Sequence, residues 1–397
     1  MKTAFALGLS LVCSHLMAEG KTPAFRAQTI DDKIEIGYGL AIADVDGDGK
    51  PDILLADKKQ FVWYQNPTWT KHVIAENLTE HDNVCIAARD IDGDGKCEIA
   101  VGAEWNPGDT VNSGAVFYLI PPADRTQKWE AVKLPAEPTT HRMKWVRHGN
   151  KEDGKPRYDL VVVPLHGRAN KNGEGAGVKV LAYEMPKDPH AEWKTEVVSD
   201  SMHMTHNFAV VDDMSRSDTL IYLGGKEGLG VYGSTSGTAG WHGSSYVDHA
   251  TLNPPLKGVG EVRRWLTPGS NSWATVEPMH GNMLVFYRPS GEGKLARAVL
   301  DDTLEDGHAL ACGDLLDLGR DQIVVGWRAM QKKDAKVGIK MFIPDPKAEK
   351  WASLLIDDNT MSCEDLVLAD LNGDGKLDII ASGRRTKNVM IYWNETK

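Results

Sequence analysis

One acidic nonapeptide constrains this chain more than any other stretch, because it occurs three times. The copies are Asp44-Val45-Asp46-Gly47-Asp48-Gly49-Lys50-Pro51-Asp52, Asp90-Ile91-Asp92-Gly93-Asp94-Gly95-Lys96-Cys97-Glu98 and Asp370-Leu371-Asn372-Gly373-Asp374-Gly375-Lys376-Leu377-Asp378. Each offers oxygen donors at its first, third, fifth and ninth positions, with a glycine at the sixth where the chain must bend sharply. An all-oxygen donor set suits a hard cation, and calcium fits best. An EF-hand needs a bidentate Glu at the twelfth position, where this chain has Leu55, Val101 and Ala381. Short apolar runs flank the loops instead of helical patterns: Leu40 to Ala43 before the first, Ile53 to Leu55 after it. The loop is therefore expected to join two strands. The simpler alternative is a solvated acidic turn without metal. Three copies with one ligand spacing favour the cation, so Asp44, Asp46, Asp48, Asp52, Asp90, Asp92, Asp94, Glu98, Asp370, Asn372, Asp374 and Asp378 are expected calcium ligands.

A wider repeat surrounds these loops. Strand ends read Thr29-Ile30-Asp31-Asp32, Val299-Leu300-Asp301-Asp302 and Leu355-Ile356-Asp357-Asp358, with Val198-Ser199-Asp200 a weaker copy. Six residues after the second acid come Tyr38, His308 and Glu364, with His206 for the weaker copy; six later come Asp44, Asp314, Asp370 and Asp212. Seven units begin near residues 38, 82, 141, 206, 261, 308 and 364. Each reads as an inner strand, a loop and three more strands, with Gly and Pro as punctuation and almost no helical spacing. The expected fold is all-β: a seven-bladed β-propeller of four-stranded antiparallel blades. The last unit has room for three strands after Glu364, and Arg26-Ala27-Gln28-Thr29-Ile30 resembles the missing fourth. The mature N-terminal strand is thus expected to complete the last blade and close the ring, which removes exposed sheet edges. Two packed β-sandwiches, the rival architecture, leave that match unexplained.

The 397 residues suffice for a large core. Met1-Lys2-Thr3 and the apolar run Ala4 to Val12 read as a signal peptide, residues 1–18, with cleavage after Ala18. Residues 22–397 are then a single propeller domain, exported to the periplasm or secreted. Val12 is too bulky to precede a lipidated Cys13. No later run is long enough to span a bilayer. A net charge of −11 without a basic patch argues against nucleic acid. The four remaining cysteines, Cys85, Cys97, Cys312 and Cys363, are expected to be buried thiols.

In a propeller, inner-strand starts and second-strand ends gather on one channel mouth. The expected starts are Tyr38, His81, His141, His206, Glu261, His308 and Glu364; the ends add Trp105, His166, Lys226, His280, Trp327, Arg328 and Arg384. Imidazoles with a carboxylate suit zinc or another first-row divalent ion, and an unmetallated His is a good acid or base. A lone His more often packs or hydrogen-bonds structurally, the reading given to His72, His190 and His249. Trp105 and Trp327 are candidates for stacking on a sugar ring, with core packing the alternative. The Gly-rich loop from His166 to Gly173 is a weak phosphate-cradle candidate, since no helix pattern follows it.

Two resemblances follow. The acidic loops resemble those of FG-GAP (VCBS) propeller repeats, which bears on fold and not on activity. The runs His141-Arg142-Met143-Lys144-Trp145, Pro164-Leu165-His166-Gly167-Arg168, Asn172-Gly173-Glu174-Gly175-Ala176-Gly177, Thr205-His206-Asn207-Phe208, Glu277-Pro278-Met279-His280-Gly281-Asn282 and Gly307-His308-Ala309-Leu310-Ala311 together resemble the propeller part of aldos-2-ulose dehydratases, which act on 1,5-anhydro-D-fructose and related keto-sugars. Unlike the fungal enzymes of that family, this sequence shows no cupin domains after the propeller. The resemblance implies a hydro-lyase acting on a small keto-sugar or oligosaccharide. On that reading His141, His206, His308 and Glu364 hold a divalent metal, zinc first. His81, His166 and His280 supply acid or base, and Tyr38, Lys226 and Arg328 orient hydroxyls. Alternatives are a polysaccharide lyase acting on uronate glycans, which shares the chemistry, and a non-catalytic carbohydrate- or protein-binding propeller.

Overall fold

Short β-branched and aromatic runs set between Asp, Asn and Gly turns form strands throughout. The computed structural model describes residues 21–150, 154–213, 218–234, 241–244, 258–266, 272–291, 295–332 and 334–397; the expected signal peptide lies outside these residues. Seven four-stranded antiparallel sheets result, and no helix occurs among the described residues. This is the seven-bladed β-propeller fold. No helix among them is long and apolar enough to cross a membrane.

The chain divides into two compact units, and the boundary falls within one strand. Unit 2, Tyr38–Val262, holds four blades. With β1 assigned to Phe25–Asp31, the first blade is β2 to β5 (Gly39–Ala43, Asp52–Ala56, Gln60–Gln65, Thr70–Glu76). The second is β6 to β9 (Cys85–Arg89, Glu98–Ala103, Ala115–Ile120, Glu130–Leu134). The third is β10 to β13 (Thr140–Asn150, Pro156–Pro164, Val180–Glu184, Lys194–Ser199). The fourth is β14 to β17 (Thr205–Asp213, Asp218–Gly225, Gly228–Ser234, His242–Ser244). Unit 1 contains the residues up to Gly37 and those from Arg263 on. The fifth blade is β18 to β21 (Glu261–Trp265, Ser272–Glu277, Met283–Pro289, Leu295–Asp301), and the boundary cuts β18. The sixth is β22 to β25 (Gly307–Gly313, Gln322–Trp327, Gly338–Pro344, Trp351–Asp358). The last sheet has the order β1-β28-β27-β26, from β26 (Cys363–Ala369), β27 (Asp378–Gly383), β28 (Asn388–Asn394) and β1, which runs antiparallel to β28 from Phe25↔Asn394 to Asp31↔Val389.

Second strands such as β3, β7, β23 and β27 are buried at every residue, whereas the fourth strand β5 is half exposed. A strand covered by neighbouring sheets on both faces needs a continuous apolar run; an outer strand needs only alternation. In unit 2 the interlayer core includes Trp63, Ile99, Phe117 and Trp129, then Tyr118, Trp145, Leu160 and Trp193. In unit 1 it includes Trp265, Phe286 and Trp327, and separately Met341, Leu366, Ile379 and Tyr392. Trp327 is thus core, its indole N–H donating to Lys336 O at 2.8 Å. Cys85, Cys97 and Cys363 are buried thiols outside any disulfide, and Cys312 is a half-buried one.

Candidate active-site clusters

Inner strands are regular in the first two blades and irregular in others. Gly39↔Ala56 and Leu40↔Leu55 keep step, as do Cys85↔Gly102 and Ile86↔Val101. In the third blade Thr140 faces Pro164 and Arg142 faces Val163, so His141 is the extra residue of a β-bulge. In the sixth, Gly307 faces Trp327 and Ala309 faces Gly326, which leaves His308 extra; in the seventh the extra residue is Glu364. The fourth blade sets His206 and Asn207 against Gly224 alone. A bulge bends the strand and re-aims the extra side chain. Four predicted site residues, His141, His206, His308 and Glu364, therefore share one backbone device.

The three histidines also share a hydrogen bond. His141 Nδ1 lies 2.9 Å from His206 O, His206 Nδ1 3.1 Å from Gly260 O, and His308 Nδ1 2.6 Å from Glu364 O. A carbonyl only accepts, so each Nδ1 carries the proton, and a neutral ring then keeps its lone pair on Nε2. Each bond runs to the start of the next blade's inner strand. All three rings are buried, at 5%, 1% and 3% exposed.

Within unit 2 the His141 and His206 ring centroids are 4.8 Å apart, and Trp105 stacks on His141 at 5.0 Å. Glu261, which the sequence placed at a strand start without a role, flanks His206: its Oε1 is 3.2 Å from Nδ1. Tyr38 is buried with its hydroxyl 3.4 Å from Asp82 Oδ2. Lys226 Nζ donates to Asn172 O at 3.1 Å. His166 is held through its backbone by Thr139, its Nδ1 is buried without a hydrogen-bond partner, and burial lowers its pKa below the usual imidazole value. His81 is not at an inner-strand start. It stands four residues ahead of β6, half exposed, with its ring and backbone N–H on Glu104. That hydrogen bond raises the imidazole pKa. Counting six residues back from Asp90, the spacing that finds His308, gives Val84 instead. The fourth blade repeats the pairing in His203 and Glu227, whose ring bond is 2.9 Å. Its sequence signal is a His shortly before the inner strand and a Glu just after the second.

Within unit 1 His280 lies 4.9 Å from His308, ring to ring, and takes a positive φ of 51°. Arg328 Nη2 is 3.5 Å from His280 Nδ1; the guanidinium can only donate, so that nitrogen accepts and the neutral ring carries its proton on Nε2. His308 and His280 thus present opposite tautomers side by side. Glu364 departs from the expected ligand role. Arg328 binds one of its oxygens at 2.7 Å and Arg384 the other at 3.0 Å. A carboxylate held on both oxygens by guanidinium groups is an ion-pair partner, and its negative charge is already compensated. Arg328 also bonds Asp306 at 2.9 Å. Burial opposes its charge, but Glu364 and Asp306 outweigh burial and hold its pKa above the ordinary value.

The acidic loops are built identically. Position 1 accepts from the N–H groups of positions 4 and 6: Asp44 from Gly47 and Gly49, Asp90 from Gly93 and Gly95, Asp370 from Gly373 and Gly375. The sixth-position glycines have φ of 81°, 87° and 83°, which disfavours any side chain. Asp44, Asp46 and Asp48 bring an oxygen each within 4.8 Å of one another, as do Asp90, Asp92 and Asp94. The ninth position does something else. Asp52 accepts from Val45 N and Asn66 N, both at 2.8 Å; Asp378 accepts from Leu371 N and Asn394 N; Glu98 accepts from Ile91 N. As the first residue of a fully buried strand, this acid braces the loop from beneath. The oxygen cluster consists of the first, third and fifth positions.

Residues 28–101 match the family model of the FG-GAP-like repeat. No curated protein matches the chain in sequence. Among solved structures, a chain of BBS1N in complex with ARL6DN, soaked with mercury, is 13% identical with a TM-score of 0.54, covering 94% of this chain and 96% of that one. A chain of the mitotic checkpoint complex is 11% identical with a TM-score of 0.56, covering 94% of both. At such identities the likeness is one of fold.

Proposed function

We propose that this FG-GAP β-propeller is an exported hydro-lyase that removes water from a keto-sugar such as 1,5-anhydro-D-fructose. The observation that carries the reading is the bulged, tautomer-fixed imidazole, repeated at His141, His206 and His308. Such β-elimination needs a base beside the carbonyl and an acid at the leaving hydroxyl. In unit 1, His308 keeps a lone pair on Nε2 and is suited to take the proton. His280, with its proton on Nε2, is suited to donate a hydrogen bond to the departing hydroxyl. That hydroxyl leaves as water with the proton that His308 Nε2 has taken from carbon, so His308 returns to its neutral form and His280 stays neutral throughout. Arg328 holds His280 in that tautomer. Glu364 fixes Arg328 and, through its carbonyl, His308.

A divalent metal fits the unit 2 pair by donor chemistry: His141 and His206 each donate from Nδ1 to the protein, the habit of metal-bound histidines. A zinc ion held by their Nε2 atoms would supply Lewis acidity toward an enolate oxygen. Calcium fits the oxygen clusters of the first two acidic loops, and the matching third loop has Asn372 in the middle place.

The test is proton NMR of 1,5-anhydro-D-fructose with the mature protein. Loss of water to an enone is expected, slowed about 10²-fold or more in His308→Ala and His280→Ala, and slowed by chelation until Zn²⁺ is restored. Absence of conversion by folded protein would remove this reading and leave uronate polymers to be tried next, then the binding-propeller alternative.

A further inference from the structure

We infer that Glu261 is the positioning residue of His206, holding its imidazole as the Nδ1–H tautomer so that Nε2 carries the reactive lone pair. This rests on the reading that His206 acts through Nε2. Both residues are 1% exposed. The N–H of Nδ1 points at Gly260 O, 3.1 Å away, and Glu261 Oε1 stands beside it at 3.2 Å. In the other tautomer an Nδ1 lone pair would face a carbonyl oxygen and a carboxylate oxygen in a buried site, which is strongly repulsive. The carboxylate is itself aimed. Asn207 Oδ1 accepts from Phe208 N at 2.8 Å, which turns Asn207 Nδ2 toward Glu261 Oε2, also at 2.8 Å. The bulge that sets out His206 thus also sets out Asn207, and the pair clamp one acid between them. A carboxylate beside the N–H of a histidine raises the basicity of the far nitrogen through its charge, while the bond to Gly260 O fixes the ring plane.

Glutamine at this place cannot satisfy both neighbours. With its oxygen toward Asn207, its NH2 faces the His206 N–H; turned round, it faces the Asn207 NH2. The experiment is ¹⁵N NMR of histidine-labelled full-length chain, with the His206 ring signals assigned by their loss in His206→Gln. The wild type is expected to show Nδ1 protonated and Nε2 as the pyridine-type nitrogen. In Glu261→Gln that pattern is expected to shift toward the Nε2–H form. Zn²⁺ affinity, read by competition with a chromophoric chelator, is expected to fall about 10- to 100-fold. Glu261→Asp is expected to recover part of both. Should Glu261→Gln fail to fold, Asn207→Ser, which releases the carboxylate from its second partner, is expected to move the same ¹⁵N signals in the same direction. An unchanged tautomer in a folded Glu261→Gln or Asn207→Ser protein overturns the assignment. None of these readings needs a keto-sugar, so a negative dehydration result leaves this inference standing, and an unchanged tautomer leaves the dehydration reading standing.

Discussion

At the level of single residues, Glu364 shows how far position and role can part. Its place in the strand was legible from a count of six residues to Asp370, the same count that finds His308 before Asp314. Its partners were not, because Arg328 and Arg384 come from the ends of two different second strands. The consequence is testable. Glu364→Gln removes one of two carboxylates from Arg328, which is only 7% exposed. Breaking such a buried pair costs about 3 kcal/mol, chiefly by stranding the remaining charge. Urea unfolding is expected to show that loss. The carbonyl that fixes His308 is backbone and survives the change. A metal-ligand role would give the opposite pattern: Zn²⁺ affinity reduced and stability little altered. His81 is the converse lesson. Its residue type suggested a strand start, whereas the spacing rule applied to Asp90 selects Val84. Spacing was the better guide, since a loop of fixed geometry sets distance along the chain regardless of side chain.

At the level of elements, strand starts were readable and strand register was not. Inner strands begin at Gly39, Cys85, Thr140, Thr205, Glu261, Gly307 and Cys363, each within a few residues of its expected place. A bulge, in contrast, is a relation between two strands, and no single strand announces it. The acidic loops divide in the same way. Their glycines and first three acids follow from local geometry. The brace formed by the ninth position depends on a partner strand, with Asn66 in one loop and Asn394 in another. Two substitutions in the first loop separate the roles. Asp52→Ala leaves the buried N–H groups of Val45 and Asn66 without acceptors, at a cost on the order of 3 kcal/mol with or without calcium. Asp46→Asn should keep the bond from Asp48 N, as Asn372 keeps the bond from Asp374 N in the third loop. Its metal-free stability is therefore expected to stay within about 0.5 kcal/mol of wild type. What it loses is part of the rise in melting temperature on adding Ca²⁺. Equal responses to calcium in wild type and Asp46→Asn would remove the cation from that loop.

At the level of the whole molecule, six sheets are contiguous in sequence and one is not. The last sheet draws β1 from more than 350 positions away, pairing Arg26↔Trp393 and Thr29↔Met390. Further bonds reinforce it: Trp393 Nε1 to Gln28 Oε1 at 2.7 Å, and Thr22 N to Lys397 O at 3.1 Å. The sequence made this pairing readable because Arg26 to Ile30 resembles the fourth strand of other blades. The energetic reason is that β28 without β1 is an edge of seven buried residues, Asn388–Asn394, with unpaired backbone groups along its length. A protein shortened to begin at Asp32 is therefore expected to melt at lower temperature and to associate through that edge. A synthetic peptide spanning Phe25–Asp31 should restore part of both by taking the vacated place, whereas the same peptide with Ala27 and Thr29 replaced by proline should not, because proline cannot donate to the ladder. Sedimentation velocity with a thermal melt decides it. A shortened chain that stays monomeric at the full melting temperature would show that the three remaining strands suffice alone, and that β1 adds nothing to the stability of the sheet it completes.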